Sequence, residues 1–424
     1  MKYLRNWLLA KPERAARNGL IWNLTASIIN GLEAVVILAV AARTLEIEYS
    51  GIYTIGFTIA NLFMCIGKYG VRNFQVTDVD ERYSFHEYRL TRIISLCAMI
   101  FISVIYIFLQ SYSLEKRMII LLFVFIYAIE AFEDVYLAAL QHNGRLDSGT
   151  RMFSARWFIT LFVWILLLVI SKNALVSVMV AFVFDLSVAI LLILSIRRDV
   201  NNRNTTFSLQ NVKRILLSCL PLCVVAMLSI YLPNAAKYSI DYFLGDELQA
   251  YFGYIAMPVF VIDLLCFVLF QPLMVKMAEY WKNCKNTFLK YALYLCVVVL
   301  IISIVIYILA YYFGIPILSI IYSCDLTRFK KEFMILMISG SFLAYIGLFV
   351  SLLTIMRRQR IMMILYGFAS ILVFSLLQVF TEKYSLIGAA IINFGCIAIL
   401  SVFLIIAFWT IALYEKKKEK IKTT

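Results

Sequence analysis

Residues 174–196 read ALVSVMVAFVFDLSVAILLILSI, residues 197–214 read RRDVNNRNTTFSLQNVKR, and residues 215–235 return to ILLSCLPLCVVAMLSIYLPNA. Two apolar runs flank a polar, basic linker rich in Asn and Thr. Each run suffices to cross a hydrocarbon core about 30 Å thick at 1.5 Å per helical residue. Outward from this point the same length recurs, and spans are predicted at 18–42, 51–70, 92–110, 117–140, 152–171 and 174–196 before the linker. After it they fall at 214–235, 248–272, 287–313, 333–356, 360–380 and 386–413. The expectation is an all-α integral membrane protein of about twelve transmembrane helices in two six-helix lobes. The N-terminal lobe covers 1–196, a cytoplasmic linker 197–213, and a C-terminal lobe with a basic tail 214–424.

Composition agrees. Of 424 residues, 63% are hydrophobic and 15% charged, with a mean hydropathy of +0.89. A soluble domain carries nearer half apolar and a quarter charged residues. The long apolar runs lack the alternation and roughly 10-residue strands of a membrane barrel.

The 39 Lys and Arg orient the spans. With the N-terminus in the cytoplasm, most of them fall on the inner side, including Lys68, Arg72, Arg92, Arg151, Arg156, Arg197 and the tail lysines Lys416, Lys417 and Lys418. The positive-inside rule therefore places both termini in the cytoplasm and requires an even number of spans. The net charge of +14 reads as this topology signal, with anionic membrane lipids as partners and no nucleic acid. Trp7 to Ala10 is too short for a signal-peptide core, so the first span is expected to stay as an anchor. The nine cysteines form no CxxC pair, and His86 and His142 stand apart from other ligands, so no metal is expected. No GxxxxGK[ST] phosphate loop is present to make ATP-driven transport intrinsic.

The halves echo each other. Leu45-Glu-Ile-Glu-Tyr-Ser-Gly-Ile-Tyr53 follows span 1, and Leu244-Gly-Asp-Glu-Leu-Gln-Ala-Tyr-Phe252 follows span 7, aligning Leu45 with Leu244, Glu48 with Glu247 and Tyr53 with Phe252. Internal repeats are common in two-lobed transporters. The Arg-x-Leu-x-x-x-x-x-Gly-x-Tyr run at Arg43, Leu45, Gly51 and Tyr53, the LGDELQAYFGY run from Leu244, GIPILSIIYS at Gly314 to Ser323 and YSLIGAAIIN at Tyr384 to Asn393 carry a family likeness. The chain resembles, over essentially its whole length, the polysaccharide-export branch of the multidrug/oligosaccharidyl-lipid/polysaccharide (MOP) exporter superfamily. Within that branch it looks like the Wzx-type flippases of O-antigen and capsule repeat units. Glu46 departs from the pattern, which usually has glycine there; Gly245 keeps it. The resemblance implies a V-shaped pair of six-helix bundles, a central cavity and alternating access. It further implies an undecaprenyl-pyrophosphate-linked oligosaccharide moved between leaflets of the bacterial cytoplasmic membrane, with other polysaccharide-assembly proteins as partners.

Charged residues within the spans are the clue independent of family, because a charge at mid-bilayer is costly and faces protein or water. In span 4, at 100° per residue, Tyr127, Glu130, Glu133, Asp134 and Gln141 share an arc of about 120°. Three carboxylates so close cannot all stay charged without neutralising cations. They read either as structural partners of Lys68, Arg151 or Arg156, or as a proton or sodium site that drives transport. Asp185 and Asp263 are lone acids and secondary coupling candidates. In span 1, Asn23, Ser27 and Asn30, with Glu33 beside them, form a polar face suited to lining a cavity or to interhelical hydrogen bonds.

A pyrophosphate-linked substrate needs cations. The candidates are Lys68, Arg72, Arg151, Arg156 and Lys237, all but Lys237 also explicable by the positive-inside rule. Arg156 ranks first, since it lies about a turn inside span 5 beside Trp157, and Arg156→Ala is expected to reduce export at constant membrane abundance. Pro221 and Pro233 in span 7 and Pro258 and Pro272 in span 8 are hinge candidates or static kinks. The favoured function is a lipid-linked oligosaccharide flippase, not an enzyme. A small-molecule exporter coupled to cations is the second reading. A membrane glycosyltransferase, polymerase or ligase is third, because the predicted outer loops are short and lack histidine.

Overall fold

The computed structural model of the chain describes residues 2–9, 15–78, 81–197, 199–200, 207–270 and 273–423. No strand occurs among them. The chain divides into two compact units, Met1–Met227 and Leu228–Thr424. The first contains α1 (Lys2–Leu8), α2 (Ala15–Thr44), α3 (Ile47–Lys68), α4 (Val71–Val76), α5 (Phe85–Leu109), α6 (Leu114–His142), α7 (Leu146–Ser171) and α8 (Ala174–Ile196). Helix α9 (Leu209–Phe243) crosses the division. The second unit continues with α10 (Gly245–Phe270), α11 (Met274–Asn283), α12 (Lys285–Leu309), a π-helical turn at Ala310–Gly314, α13 (Ile315–Tyr322), α14 (Lys330–Ile355) and α15 (Gln359–Thr423). Ser385, at φ 57° and ψ −145°, breaks α15 between the two last predicted spans.

Helix covers the predicted stretches, and nine helices of the described residues are long and apolar enough to cross a membrane. These are the lengths and compositions of a multi-pass membrane protein. Helix α6 is not among the nine, because Glu130, Glu133 and Asp134 crowd its second half. Large apolar side chains such as Phe101, Phe158, Phe162, Ile170 and Phe374 lie exposed, as lipid-facing residues do.

Each unit is organised around one deeply buried helix. In the first it is α3, which packs on α5 and α6 and is buried almost continuously from Ser50 to Cys65. Glycine permits the approach: a Cβ on Gly67 would stand 2.6 Å from Met99 Sδ, and one on Gly56 would stand 2.9 Å from the Phe123 ring. In the second it is α14, against α10, α12 and α15. There a Cβ on Gly340 would stand 2.9 Å from Ile262 Cδ1 and 3.2 Å from the Val259 carbonyl oxygen. Helices this close gain dispersion contacts that larger residues would block.

The two echo motifs now have separate physical readings. The fully buried Tyr53 donates its hydroxyl to the Ala174 carbonyl at 2.8 Å, tying α3 to the start of α8. Its ring meets Phe123 edge-on at 5.1 Å. Gly245 turns α9 into α10 at φ 81°, in the region that favours glycine. Glu46 stands at φ −63°, which any residue adopts. The departure at Glu46 therefore strains nothing.

The start of α9 belongs to the first unit. Ser84 and Glu87 form a capping box at α5, and Glu87 Oε1 also accepts from Ser208 N at 2.8 Å and Asn211 Nδ2 at 2.9 Å. Ile215 and Cys219 join an apolar cluster with Val71, Tyr88, Tyr136 and Met152. The division between units thus falls inside α9, beyond the 197–213 linker, of which residues 201–206 lie outside the described residues. Pro221 and Pro233 sit within α9 and Pro258 within α10, with helix continuing past each. Pro272 and the side chain of Asp263 also lie outside the described residues.

Candidate functional site

The polar face of α6 meets cations from α3, α4, α5 and α7. Lys68, the last residue of α3, donates to Glu130 Oε1 at 2.7 Å. The other oxygen of Glu130 accepts from the Trp157 indole at 2.8 Å. One turn further, Asp134 is held from two sides, by Arg92 at 2.7 Å and Arg72 at 3.1 Å. Arg72 also reaches Gln141 Oε1 at 2.8 Å, which accounts for the polar residue at the end of the stripe. Arg92 is fully buried and donates to the Gly67 carbonyl at 2.8 Å; Ser95 donates to the same oxygen at 2.7 Å. Glu133 lies on the side of α6 facing α7 and α8. There Arg156 bonds it at 2.6 Å and bridges to Asp185 of α8 at 2.7 Å, and Thr160 completes Asp185 at 2.7 Å.

This arrangement sorts the predicted site residues. Glu130, Glu133, Asp134 and Asp185 each pair with a cation, so Asp185 is no lone acid. Arg156 has 0% side-chain exposure and is committed to its carboxylates. Lys68 and Arg72, by contrast, keep 34% and 36% of their side-chain surface. Both border an open cavity of about 180 Å³ with Asn23, Ser27 and Asn30 of α2, Glu130 of α6, and Thr150 and Phe153 of α7. The predicted polar face of span 1 therefore does line a cavity. Glu33, one turn along, is buried and accepts from the Tyr127 hydroxyl at 2.6 Å, with its other oxygen unpartnered.

Arg151 lies elsewhere. It donates to the Trp7 carbonyl and faces the Trp7 and Trp22 rings at 5.5 and 5.2 Å, which ties α1 and α2 to α7. Lys237 belongs to the second unit, 5% exposed, with its ammonium 5.4 Å from the Phe260 ring centre. The sequence reading missed Arg92 as a site residue, having counted it only toward orientation. The signal was present: Arg92, Ser95 and Met99 recur at helical spacing on the buried face of α5.

Chemically, each of these charges has an opposite charge within bonding distance, while Glu133 Oε1, Arg92 Nε and Arg156 Nη2 have no hydrogen-bond partner among the described residues. Removing one member leaves a buried partner uncompensated, which costs several kcal/mol. The cavity beside them offers the Asn23 and Asn30 amides, the Ser27 and Thr150 hydroxyls, which donate to the Asn23 and Leu146 carbonyls and keep acceptor capacity, and the Phe153 ring. Among the described residues no group of His, Cys, Asp and Glu could hold a metal ion.

The fold has known counterparts. The lipid II flippase MurJ in an inward closed conformation superposes with a TM-score of 0.68, at 14% identity over 92% of this chain and 87% of that one. The Vibrio cholerae MATE transporter VcmN in the bent form gives 0.57, at 13% identity over 95% and 98% of the two chains. A MOP superfamily transporter from Pyrococcus furiosus gives 0.59, at 12% identity over 99% and 98%. The two-lobed helical fold is therefore that of the MATE and MurJ proteins. No curated protein sequence matches the chain. The profile described as polysaccharide biosynthesis protein matches residues 16–278, more than half of the length, and the chain belongs to that family.

Proposed function

We propose that the chain is a flippase in the bacterial cytoplasmic membrane. It carries an oligosaccharide linked to an undecaprenyl-pyrophosphate-type lipid from the inner to the outer leaflet by alternating access. Its product serves O-antigen, capsule or another cell-surface polysaccharide. The observation that carries this reading is the cavity bordered by Asn23, Ser27, Asn30, Thr150 and Phe153. Amides and hydroxyls both donate and accept, as a sugar's hydroxyls require, and an aromatic ring offers an apolar face beside a polar one. Membership of the polysaccharide biosynthesis family supports a saccharide-bearing substrate.

A proton or sodium gradient drives the cycle on this reading, acting through Glu130, which borders the cavity, and Asp134 one turn further along α6. Export that keeps its gradient dependence in both Glu130→Gln and Asp134→Asn would remove that element. The transport reading itself is tested by deletion, which is expected to leave lipid-linked repeat units accumulated on the inner leaflet. Absence of accumulation favours the second reading, a cation-coupled exporter of small molecules, for which the fold likeness to the VcmN transporter speaks.

A further inference from the structure

In the second unit, α12 and α14 leave a gap between them. It is an open cavity of about 420 Å³, bordered by Ser303, Ile304 and Tyr307 of α12 and by Ser341, Phe342 and Tyr345 of α14. Sites for small molecules fall in the same range, about 300–1,000 Å³. Its walls are apolar apart from hydroxyls, and among the described residues no charged one lines it. Ile304 is half exposed, so the cavity opens where α12 meets lipid. Tyr345 donates its hydroxyl to the Cys296 carbonyl of α12 at 2.9 Å, which fixes one wall. Ser303 is buried, and its Oγ has no hydrogen-bond partner among the described residues. Two serines of α14 return their hydroxyls to the carbonyl four residues back, Ser339 to Ile335 at 3.1 Å and Ser351 to Gly347 at 2.9 Å. Ser303 does not, and a bare hydroxyl in apolar surroundings is costly.

Depth narrows the choice of occupant. Tyr311 and Tyr312, both exposed, follow α12 in the π-helical turn, and the Lys330 ammonium stands 4.2 Å from the Tyr311 ring centre. Tyrosine and lysine gather at the boundary between bilayer and water. Ser303 precedes Tyr311 by eight residues, about 12 Å along a helix. At that depth the cavity meets hydrocarbon chains rather than headgroups. The ester carbonyls of a glycerolipid stand near the boundary, too shallow to reach Ser303. A polyprenyl chain repeats a double bond in every unit of its length, so one falls beside Ser303 wherever the headgroup rests. We propose that this cavity holds part of the unsaturated polyprenyl chain of a lipid carrier, with the Ser303 hydroxyl donating to one of its double bonds. A hydrogen bond to π electrons is weak, so shape carries most of the binding. The branched chain packs on the rings of Tyr307, Phe342 and Tyr345. The proposal rests on the flippase reading in taking the ligand to be the carrier's chain.

The test uses the full chain in nanodiscs of saturated phosphatidylglycerol, with geranylgeraniol carrying a photoreactive diazirine at its far end as the probe. Illumination is expected to label residues 300–307 and 338–345. Excess unlabelled geranylgeraniol should reduce that labelling about tenfold, and phytanol, its saturated counterpart, less than about twofold. Ser303→Ala should weaken displacement by geranylgeraniol about threefold, as loss of a weak hydrogen bond implies. Its melting temperature should match or exceed that of wild type, because an unpaired buried hydroxyl is removed. Ser341→Phe fills the cavity and should lower labelling about tenfold. Should that variant fail to fold, the phytanol comparison and Ser303→Ala still decide. Labelling scattered over the exposed apolar faces, or equal displacement by phytanol, marks an ordinary acyl-chain groove and overturns the proposal. Unchanged labelling in a folded Ser341→Phe does the same. The deletion assay is independent: a strain without accumulated repeat units would refute the flippase reading while leaving a measured prenyl-selective cavity standing.

Discussion

The first unit gathers Lys68, Arg72, Arg92 and Arg156 against Glu130, Glu133, Asp134 and Asp185, each within bonding distance of an opposite charge. The second unit holds Lys237, buried against an aromatic ring. Both regions carry charge inside membrane helices, yet the physical consequences are opposite. A set of ion pairs stabilises neighbouring helices against one another and offers little to an incoming anion. Lys237 instead meets the face of the Phe260 ring, a contact worth about 0.5–2 kcal/mol. Charge count alone therefore does not tell a charge that ties helices together from one that does not.

The largest effect that could break this comparison is expected at Arg156. Arg156→Met leaves Glu133 and Asp185 buried without a cation and should cost about 3–5 kcal/mol, seen as reduced membrane abundance and a lower melting temperature. This reverses the sequence-based expectation that Arg156→Ala spares abundance. Joint replacement with Glu133→Gln and Asp185→Asn should recover much of the loss. If abundance stayed normal while export vanished, Arg156 would touch substrate and the contrast between the units would fail. Next comes Asp134→Asn, which strips the buried Arg92 of its counter-ion and should cost about 2–3 kcal/mol, measured by the same melting assay. A wild-type melting curve for that variant would mean that Arg92 is compensated by another group. Gly67→Ala follows at about 1–3 kcal/mol, because the added Cβ would meet Met99 Sδ at 2.6 Å; no change would show that Met99 swings aside freely. The smallest stability effect is expected for Asn23→Ala with Asn30→Ala, within about 0.5 kcal/mol. Reduced export from a normally folded variant would tie the cavity to sugar handling; normal export would detach it.

Much of this was legible along the chain. The apolar runs placed the helices, and the break at Ser385 falls in the gap between the predicted spans 360–380 and 386–413. The polar face of span 1 was readable as a cavity lining, since periodicity alone puts Asn23, Ser27 and Asn30 together. The stripe on α6 was visible for the same reason, but its partners were not. Arg156 and Asp185 lie 29 residues apart and Arg92 and Asp134 lie 42 apart. Nothing in local periodicity says which helix faces which. Arg156 reads from the sequence as a substrate contact because it is an arginine one turn inside a span; packing of α7 against both α6 and α8 makes it a cross-link between their carboxylates. Glu46 looked like a defect in the motif until its backbone angle showed that the turn there does not require glycine.

The sequence by itself determined that this is a helical membrane protein with polar faces on particular helices, because hydrophobic length and helical periodicity are local properties. Which charges cancel and which remain was decided only by the tertiary structure. Compensation depends on distances of about 3 Å between groups far apart in the chain, and at Glu130 and Asp134 those distances follow from the close approach of α5 and α6 that the glycines of α3 allow.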